Sequence, residues 1–365
     1  MKKIFIAATH QNDGKTTVAL GLIFNLKERF KKVGFIKPIG QRYLQEEGVK
    51  VDEDSVLVEK ILKSCGVRCG LKDTSPIAVE KGFTENYISN PQKKAIERQI
   101  NQAFSRVGKD RDIVIIEGTG HAGVGSVFDH SNARVARMLK SRVIIVSSGG
   151  IGRPIDEIAL NKALFDKEGV RIAGVIINKV LPDKFDKINS LVRKGLKRLG
   201  VDVLGVVPYN KILDSCTVRQ IAEESGFKLL SGQEFLNKRV NKIIVGAMQP
   251  KDAIKYFKDE MLIITPGDRE DIISAAIDAE GLRTKAGIKI SGIILTGGIM
   301  PNDAIMKQLN DTDIPVLFSE SDTFLVASQV KDMNIKIDPQ DKEKIDVVSE
   351  MAKKYLETEK IMEHV

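Results

Sequence analysis

Short apolar runs alternate with longer segments in which apolar residues recur every three or four positions over the first 210 residues. The runs lie at 4–7, 33–36, 113–116, 143–147, 173–177 and 203–207. Such runs are typical of strands buried on both faces, and the spacing between them is typical of helices. Alternating strands and helices predict βα units with right-handed crossovers and a doubly wound, mostly parallel sheet.

A second series of apolar runs follows at 243–248, 261–267, 291–298 and 314–320. Helical segments again separate them, which predicts a second, smaller α/β domain. We expect a first domain at 1–215, a connecting segment at 216–239, the second domain at 240–338 and a C-terminal helix at 339–365. That helix is amphipathic, and its apolar face carries Ile345, Val348, Met351, Ala352 and Tyr355.

The segment IFIAATHQNDGKTT at residues 4–17 predicts a strand, a tight loop and a helix start. N–H groups at a helix N-terminus point outward, and the helix dipole favours an anion. Gly14 would let the main chain approach phosphate, Lys15 would neutralise it, and the Thr16 hydroxyl would face Mg²⁺. This pattern predicts a phosphate-binding loop. Thr9 stands where such a loop usually begins with glycine, so an ordinary strand-to-helix turn is the alternative.

Charged residues also follow two other predicted strands. Lys37 comes after the run at 33–36, and Glu117 comes after the run at 113–116. Ligands of open α/β sheets bind at the carboxyl ends of the strands, so Lys37 can reach the phosphates and Glu117 can hold Mg²⁺. A solvated lysine and a glutamate that caps the next turn are the alternatives. Asp54 begins an apolar-periodic helix and is either its N-cap or a residue near the metal.

Asn178 and Lys179 end another strand, where a base could be read. The pair is similar to a guanine-reading pattern, but Leu181 occupies the position of its carboxylate, which favours adenine. His121 and His130 have no cysteine or paired carboxylate at ligand spacing, so we expect them to line the cleft or cap a helix rather than bind metal.

Two glycine-containing loops, at 265–271 and 295–298, follow predicted strands of the second domain. Such loops can bind a small anionic metabolite at helix N-termini. Tight turns between buried elements, together with a dimer contact, explain them equally well.

The composition indicates a globular protein, with 365 residues, 42% hydrophobic and 29% charged. No run reaches 18 apolar residues, and the N-terminus becomes polar too soon for a signal peptide. Cys65, Cys69 and Cys216 lack the spacing of a zinc site or disulfide framework. We therefore expect a soluble cytoplasmic protein without a membrane partner. The net charge of +8 is dispersed among acidic residues, so a nucleic-acid partner is not expected.

Taken together, these segments resemble the dethiobiotin-synthetase-like phosphate-loop ATPases. The resemblance implies ATP and Mg²⁺ as cofactors, with Lys15, Lys37 and Glu117 as catalytic residues. It implies metal ligands at Thr16, Asp54 and Glu117. Its nucleotide-binding positions are Asn12, Asp13, Gly14, Lys15, Thr16, Thr17, Asn178 and Pro208.

The chain resembles the amino-terminal half of long-form phosphate acetyltransferases more closely. The segments that carry this likeness are EGTGHAGVGSVFDHSNARVA, GGIGRPIDE, VPYNKILDSCTVRQIAE, ITPGDRED and ILTGG. The second module of that group is the DRTGG domain, whose signature is split here between GDRED and LTGG. The resemblance implies a P-loop domain followed by a DRTGG-like α/β domain, and pairing into a homo-oligomer such as a dimer.

Two departures bear on function. Gly40-Gln41-Arg42 and Thr74-Ser75-Pro76-Ile77 replace segments that serve the diamino-acid substrate in dethiobiotin synthetases, so biotin synthesis is not expected. The sequence ends at Val365, before the acetyltransferase catalytic domain would follow, so we expect no phosphate acetyltransferase activity.

We therefore predict a Mg·ATP-binding protein that acts as a slow ATPase or a nucleotide-dependent regulatory switch. A separately encoded acetyltransferase is a candidate partner. The alternative is an ATP-dependent ligase that activates a carboxylate or carbamate near Lys37, Glu117 and His121.

Overall fold

A computed structural model describes residues 1–46, 48–64, 70–281, 287–333 and 336–365. Cys65 and Cys69 lie outside the described residues. The chain divides into two compact units, the first formed by Met1–Leu213 with Ile337–Val365 and the second by Asp214–Lys336. No helix in the described ranges has the length and hydropathy that a membrane span requires.

The strands are β1 (Lys2–Ala8), β2 (Val33–Ile36), β3 (Ile39–Gly40), β4 (Tyr43–Glu46), β5 (Val49–Asp52), β6 (Ile77–Ala78), β7 (Ile113–Glu117), β8 (Arg142–Ser148), β9 (Ile172–Val180), β10 (Val203–Pro208), β11 (Cys216–Thr217), β12 (Lys228–Ser231), β13 (Arg239–Val240), β14 (Lys242–Val245), β15 (Met261–Pro266), β16 (Ile290–Thr296) and β17 (Val316–Phe318). The helices are α1 (Lys15–Arg29), α2 (Glu53–Ser64), α3 (Leu71–Thr74), α4 (Phe83–Ser89), α5 (Lys93–Gly108), α6 (Asn132–Met138), α7 (Gly152–Lys167), α8 (Phe185–Arg198), α9 (Lys211–Asp214), α10 (Val218–Ser225), α11 (Pro250–Ala253), α12 (Glu270–Gly281), α13 (Asp303–Asn310), α14 (Thr323–Lys331), α15 (Lys342–Tyr355) and α16 (Thr358–Glu363).

A six-stranded sheet in the order β10-β9-β8-β1-β7-β2 forms the centre of the first unit. Every neighbouring pair in it is parallel, so the predicted doubly wound parallel sheet is confirmed. The register pairs Ile6 with Glu117, and Ile36 with Ile116. Lys37 and Glu117 therefore follow paired residues on adjacent strands and share the carboxyl edge of the sheet with the loop after β1.

The alternation of side chains along β1 gives the sheet two apolar faces. Ile4 and Ile6 pack on one face with residues of α1, α15 and α16. Phe5 and Ala7 pack on the opposite face with residues of α5, α6, α7 and α8. All four side chains are buried, which explains the uninterrupted apolar run that predicts this strand.

The C-terminal segment forms two helices, whereas we predicted one. At Leu356 the chain leaves α15 in an extended conformation and bridges to Gly205 of β10. The Glu357 N–H donates to the Leu204 carbonyl at 2.9 Å, so pairing with the edge strand ends the helix before α16 begins. The predicted apolar face of α15 is confirmed, since Val348 and Ala352 are buried in the core of the first unit.

The second unit contains a five-stranded sheet in the order β12-β17-β16-β15-β14. Only β12 runs antiparallel to its neighbour, β17. The smaller α/β domain is therefore confirmed. We expected residues 216–239 to connect two domains. Instead, they form β11, α10 and β12 and reach the first residue of β13, which pairs with β11. Their apolar side chains Cys216, Val218, Ile221 and Leu236 are buried in the core of this unit, which makes the segment part of it.

Close packing of α1 against α15 leads to a prediction about stability. A Cβ atom at Gly21 would lie 2.8 Å from the Ala352 Cβ. We expect Gly21→Val to destabilise the protein by about 1–3 kcal/mol through overpacking, measured by urea denaturation. Adding Ala352→Gly should restore part of the loss. Gly152→Val, at a helical glycine with open space around it, is the control; equal losses at both glycines would contradict the packing explanation.

Candidate nucleotide-binding site

The loop after β1 turns sharply into α1. Asn12 and Gly14 both have positive φ, at 67° and 88°, and Gly14 is the N-cap of the helix. Backbone hydrogen bonds anchor the base of the loop, from Ala8 N–H to the Gly120 carbonyl and from Thr9 N–H to the Val146 carbonyl. The loop thus lies at the carboxyl edge of the sheet, with the first-turn N–H groups of α1 beside it, where an anion would be stabilised.

The Asp13 carboxylate points into the protein and shapes the loop. It is 4% exposed and accepts hydrogen bonds from the Thr9 hydroxyl at 2.8 Å, the His10 N–H at 2.7 Å and the Ser148 hydroxyl at 2.5 Å. The Thr9 hydroxyl also lies 2.9 Å from that of Ser147. A glycine at position 9 would lack this hydroxyl, which gives the unusual threonine a structural role.

Asn178, near the end of β9, forms a hydrogen bond with the main chain of the loop. Its side-chain Nδ2 donates to the Asp13 carbonyl at 2.9 Å, and a Cβ on Gly14 would come within 2.2 Å of that nitrogen. Asn178 therefore contacts the main chain of the loop, a contact that the predicted adenine-binding role does not include. Pro208 ends β10, an edge strand three positions from β1 in the sheet.

Lys37 is buried between two carboxylates. Its Nζ lies 2.8 Å from Asp52 Oδ1 and also forms an ion pair with Asp54 Oδ2. Burial alone would lower the pKa of the lysine, but Asp54 and Asp52 outweigh this and raise it. The alternative of a solvated loop lysine is wrong, because Lys37 is 6% exposed.

Glu117, at the end of β7, is fully buried. Its Oε1 accepts a hydrogen bond from the Thr16 hydroxyl at 2.7 Å, whereas its Oε2 has no hydrogen-bond partner among the described residues. Burial, reinforced by the Asp54 charge, raises the pKa of Glu117 to about 7. Lys15, on the first turn of α1, also faces this group, and burial lowers the pKa of its ammonium. The site therefore contains charges that are only partly compensated.

Asp52 is one of two residues of this site that we did not predict from the sequence. It lies immediately before α2 and accepts the Asp54 N–H at 3.0 Å, as an N-cap residue does. Of the two alternatives for Asp54, the N-cap is therefore wrong. A Cβ on Gly40 would lie 2.6 Å from the Asp52 Cβ and 2.7 Å from its Oδ2, so this glycine leaves room for the Asp52 side chain. The spacing of Asp52 and Asp54 around a helix start was the available signal.

Asn132 is a second residue that sequence reasoning missed. Its side chain accepts the Thr119 N–H at 3.0 Å and donates to the His121 carbonyl at 2.7 Å, which holds the loop after β7 in place. His121 itself is exposed, and His130 is buried with its Nδ1 2.6 Å from the Phe128 carbonyl. The sequence signal was weak, because Asn132 resembles an ordinary residue at the start of a helix.

The donors at this site suit a hard divalent cation. In the described ranges, no three His, Cys, Asp or Glu side chains are arranged so that together they could hold a metal ion, so a metal would depend on mixed ligands. Glu117 provides a buried, unpartnered carboxylate oxygen next to the Thr16 hydroxyl. Both are oxygen ligands of the kind that Mg²⁺ prefers. Asp54, the third predicted ligand, is ion-paired with Lys37.

In the second unit, the two predicted loops form tight turns. Gly297 and Gly298 have φ of 79° and 67°, and a Cβ on Gly267 would overlap the Ile299 carbonyl. The Arg269 guanidinium donates to the carbonyls of Gly246, Ala247 and Met248 and pairs with Asp271. These contacts favour the structural interpretation of the loops over anion binding.

The first strand of the parallel sheet leads through a glycine turn into a helix that begins with a lysine and a threonine, and the neighbouring strand β7 ends in an acid. These features define a P-loop NTPase fold. The family model AAA_26, described as an AAA domain, matches residues 2–217, and the chain belongs to this family. The DRTGG domain model matches residues 220–333.

Curated relatives include phosphate acetyltransferases of three bacteria. Those of Pseudomonas putida and Pseudomonas aeruginosa are 25% and 27% identical, in each case over 98% of this chain and 51% of the relative. That of Escherichia coli is 23% identical over 97% of this chain and 51% of the relative. The chain spans about half the length of these proteins, and the predicted resemblance to one half of a phosphate acetyltransferase is confirmed.

Among solved structures, the septum site-determining protein MinD complexed with Mg-ADP from Pyrococcus horikoshii is similar, with a TM-score of 0.37 and 16% identity over 58% of this chain and 83% of that one. The CBS and DRTGG domains of Clostridium perfringens pyrophosphatase, complexed with diadenosine tetraphosphate, match with a TM-score of 0.25 and 20% identity over 37% of this chain and 59% of that one. Both likenesses are distant.

The buried Glu117 carboxyl predicts a pH-dependent stability. The pKa of Glu117 is raised from 4.5 to about 7 in the folded protein, so between these pH values the carboxyl ionises in the unfolded chain before it does in the folded one. The free energy of unfolding therefore falls as pH rises through this range, by on the order of 3 kcal/mol. Glu117→Gln keeps an acceptor for Thr16 and removes the charge. We therefore expect the variant to gain stability relative to wild type from pH 5 to pH 8, measured by denaturation without nucleotide or metal. Glu85→Gln, at an exposed position, is the control; a difference that does not grow with pH would contradict the prediction.

Proposed function

We propose that the first unit binds Mg·ATP at the carboxyl edge of its six-stranded sheet and acts as a nucleotide-dependent regulatory switch with slow ATP turnover. One observation carries this proposal. The Gly14 turn, Lys15, the Thr16–Glu117 hydrogen bond and the buried Lys37 converge on the same edge of adjacent strands. This is where open α/β sheets bind their ligands.

The phosphates are proposed to lie on the loop from Asn12 to Thr17. First-turn N–H groups would donate hydrogen bonds to the phosphates, and Lys15 would neutralise part of their charge. Burial has removed part of the hydration of the Lys15 ammonium, so a bound anion would stabilise its charged form. The Asp13 carboxylate is turned into the protein, so this residue would contribute through its main chain. The ends of β9 and β10, with Asn178 and Pro208, form the proposed adenine side.

Mg²⁺ is proposed to be held by Thr16 and Glu117, together with Asp54. Support comes from the unpartnered, buried Glu117 oxygen, which a divalent cation would satisfy. When bound, Mg²⁺ would supply positive charge to the terminal phosphates. The protein's own residues would orient those phosphates and exclude water from the buried side of the site.

The ion pairs of Lys37 with Asp52 and Asp54 do not separate the switch from the ATP-dependent ligase, because a phosphate and a substrate carboxylate would use the same face of the ammonium. The DRTGG domain and the phosphate acetyltransferase relatives support a regulatory role. We propose a separately encoded acetyltransferase as its partner, a homo-oligomeric state and a cytoplasmic location.

Substitution of the phosphate-loop lysine tests nucleotide binding. Lys15→Ala should weaken Mg·ATP binding about 10- to 100-fold, because a charge-assisted contact to phosphate is lost. Isothermal titration calorimetry measures the affinity. Lys31→Ala removes the same charge from an exposed position beyond the opposite end of α1 and should bind like wild type. Unchanged affinity in Lys15→Ala would rule out the proposed phosphate loop.

ADP release separates the switch from the ligase. We expect purified protein to hydrolyse Mg·ATP slowly, at a rate that candidate carboxylic acids, amines and CO₂ leave unaltered. Stoichiometric product formation coupled to ADP release would instead establish the ligase.

A further inference from the structure

Two carboxylates contact one buried ammonium at the candidate site, and a third lies at the same edge of the sheet. Lys37 contacts Asp52 and Asp54, and Glu117 follows the residue paired with Ile36 in the register. Asp52, Asp54 and Glu117 are 1%, 6% and 0% exposed, so bulk water solvates none of the three carboxylates well. Lys37 is thus shared between carboxylates, and one of these, Asp54, is also a proposed metal ligand.

Asp52 is the immobile member of this group. Its N–H donates to the Ser75 hydroxyl at 3.0 Å, and its Oδ1 accepts the Asp54 N–H at 3.0 Å. Gly40 packs directly against its carboxylate. By contrast, Lys37 is fixed at its main chain, where its N–H donates to the Thr74 carbonyl at 2.7 Å, while four side-chain methylene groups can rotate.

We infer that Lys37 is an internal counter-ion of Asp54 that Mg²⁺ displaces, and that Asp52 retains the displaced ammonium within the site. This inference rests on the proposed Mg·ATP function. A lysine paired with Asp54 alone would become a buried, uncompensated charge when the metal took that carboxylate. Because Asp52 stays in contact with Lys37, Asp54 can exchange the ammonium for Mg²⁺ without leaving an unpaired buried charge. The freed face of the ammonium then becomes available to phosphate, so metal and nucleotide binding support one another.

Mn²⁺ affinity tests this exchange in the full chain. Free Mn²⁺ is measured by electron paramagnetic resonance, with and without ADP. Lys37→Met removes the competing cation and should tighten Mn²⁺ binding in the absence of nucleotide by about tenfold or more. Asp52→Asn leaves Lys37 dependent on Asp54 and should weaken binding by a similar factor. Lys50→Met removes an exposed lysine whose Nζ lies 2.7 Å from Glu80 and over the Tyr43 ring, and it controls for the general loss of positive charge.

The double variant distinguishes positioning from simple electrostatics. If Asp52 acts through Lys37, the effect of Asp52→Asn should largely disappear in the Lys37→Met background. Additive effects, or equal effects of Lys37→Met and Lys50→Met, would overturn the inference while leaving the nucleotide site intact. A wild-type protein that binds neither Mn²⁺ nor ADP would overturn both this inference and the proposed function.

A crystal structure of wild type with Mg²⁺ and ADP gives an answer that does not depend on variant stability. We expect the Lys37 ammonium to remain on Asp52 and to have left Asp54. An ammonium that stays on Asp54 with Mg²⁺ bound would overturn the exchange.

Discussion

The need to neutralise buried charge at one edge of a sheet constrains the first unit more than any other interaction. Parallel strands covered by helices on both faces leave ligand access mainly at the strand ends. Lys37, Asp52, Asp54 and Glu117 all lie there, and all are nearly excluded from solvent. Isolated charges in such surroundings are costly, and here Lys37 compensates Asp52 and Asp54 through direct ion pairs. Glycine at position 40 and the N-cap geometry of α2 follow from the space and contacts that Asp52 requires.

The sequence predicts the architecture well, because its signals are local. Apolar runs mark the strands of both sheets, and the periodic residues of α1 and α15 mark the faces that become buried. Strand ends are less well predicted, as the run at 314–320 shows: only Val316–Phe318 forms strand. The break at Leu356 could not be predicted, because it depends on pairing with β10, about 150 residues away along the chain.

The candidate site is predictable in its residue types but not in its contacts. The positions of Lys15, Lys37 and Glu117 follow from strand ends, which periodicity locates. The partners of Asp13 and Asn178 do not, because a carboxylate in a glycine-containing loop reads as a ligand contact, whereas burial turns it towards Ser148 and Thr9. Asp52 was missed for the same reason. Its importance comes from a lysine fifteen positions earlier in the chain, which only the fold brings within hydrogen-bonding distance.

The return of residues 337–365 to the first unit has a consequence for biosynthesis. These residues cover α1 and pair with β10, yet the ribosome makes them after the whole of the second unit. During translation the nascent first unit therefore carries an uncovered apolar surface while more than 120 residues are added, and such surfaces favour aggregation. The second unit is continuous in sequence and can fold earlier. The first unit begins earlier in the chain, but its apolar surface can be fully covered only after the second unit has been made.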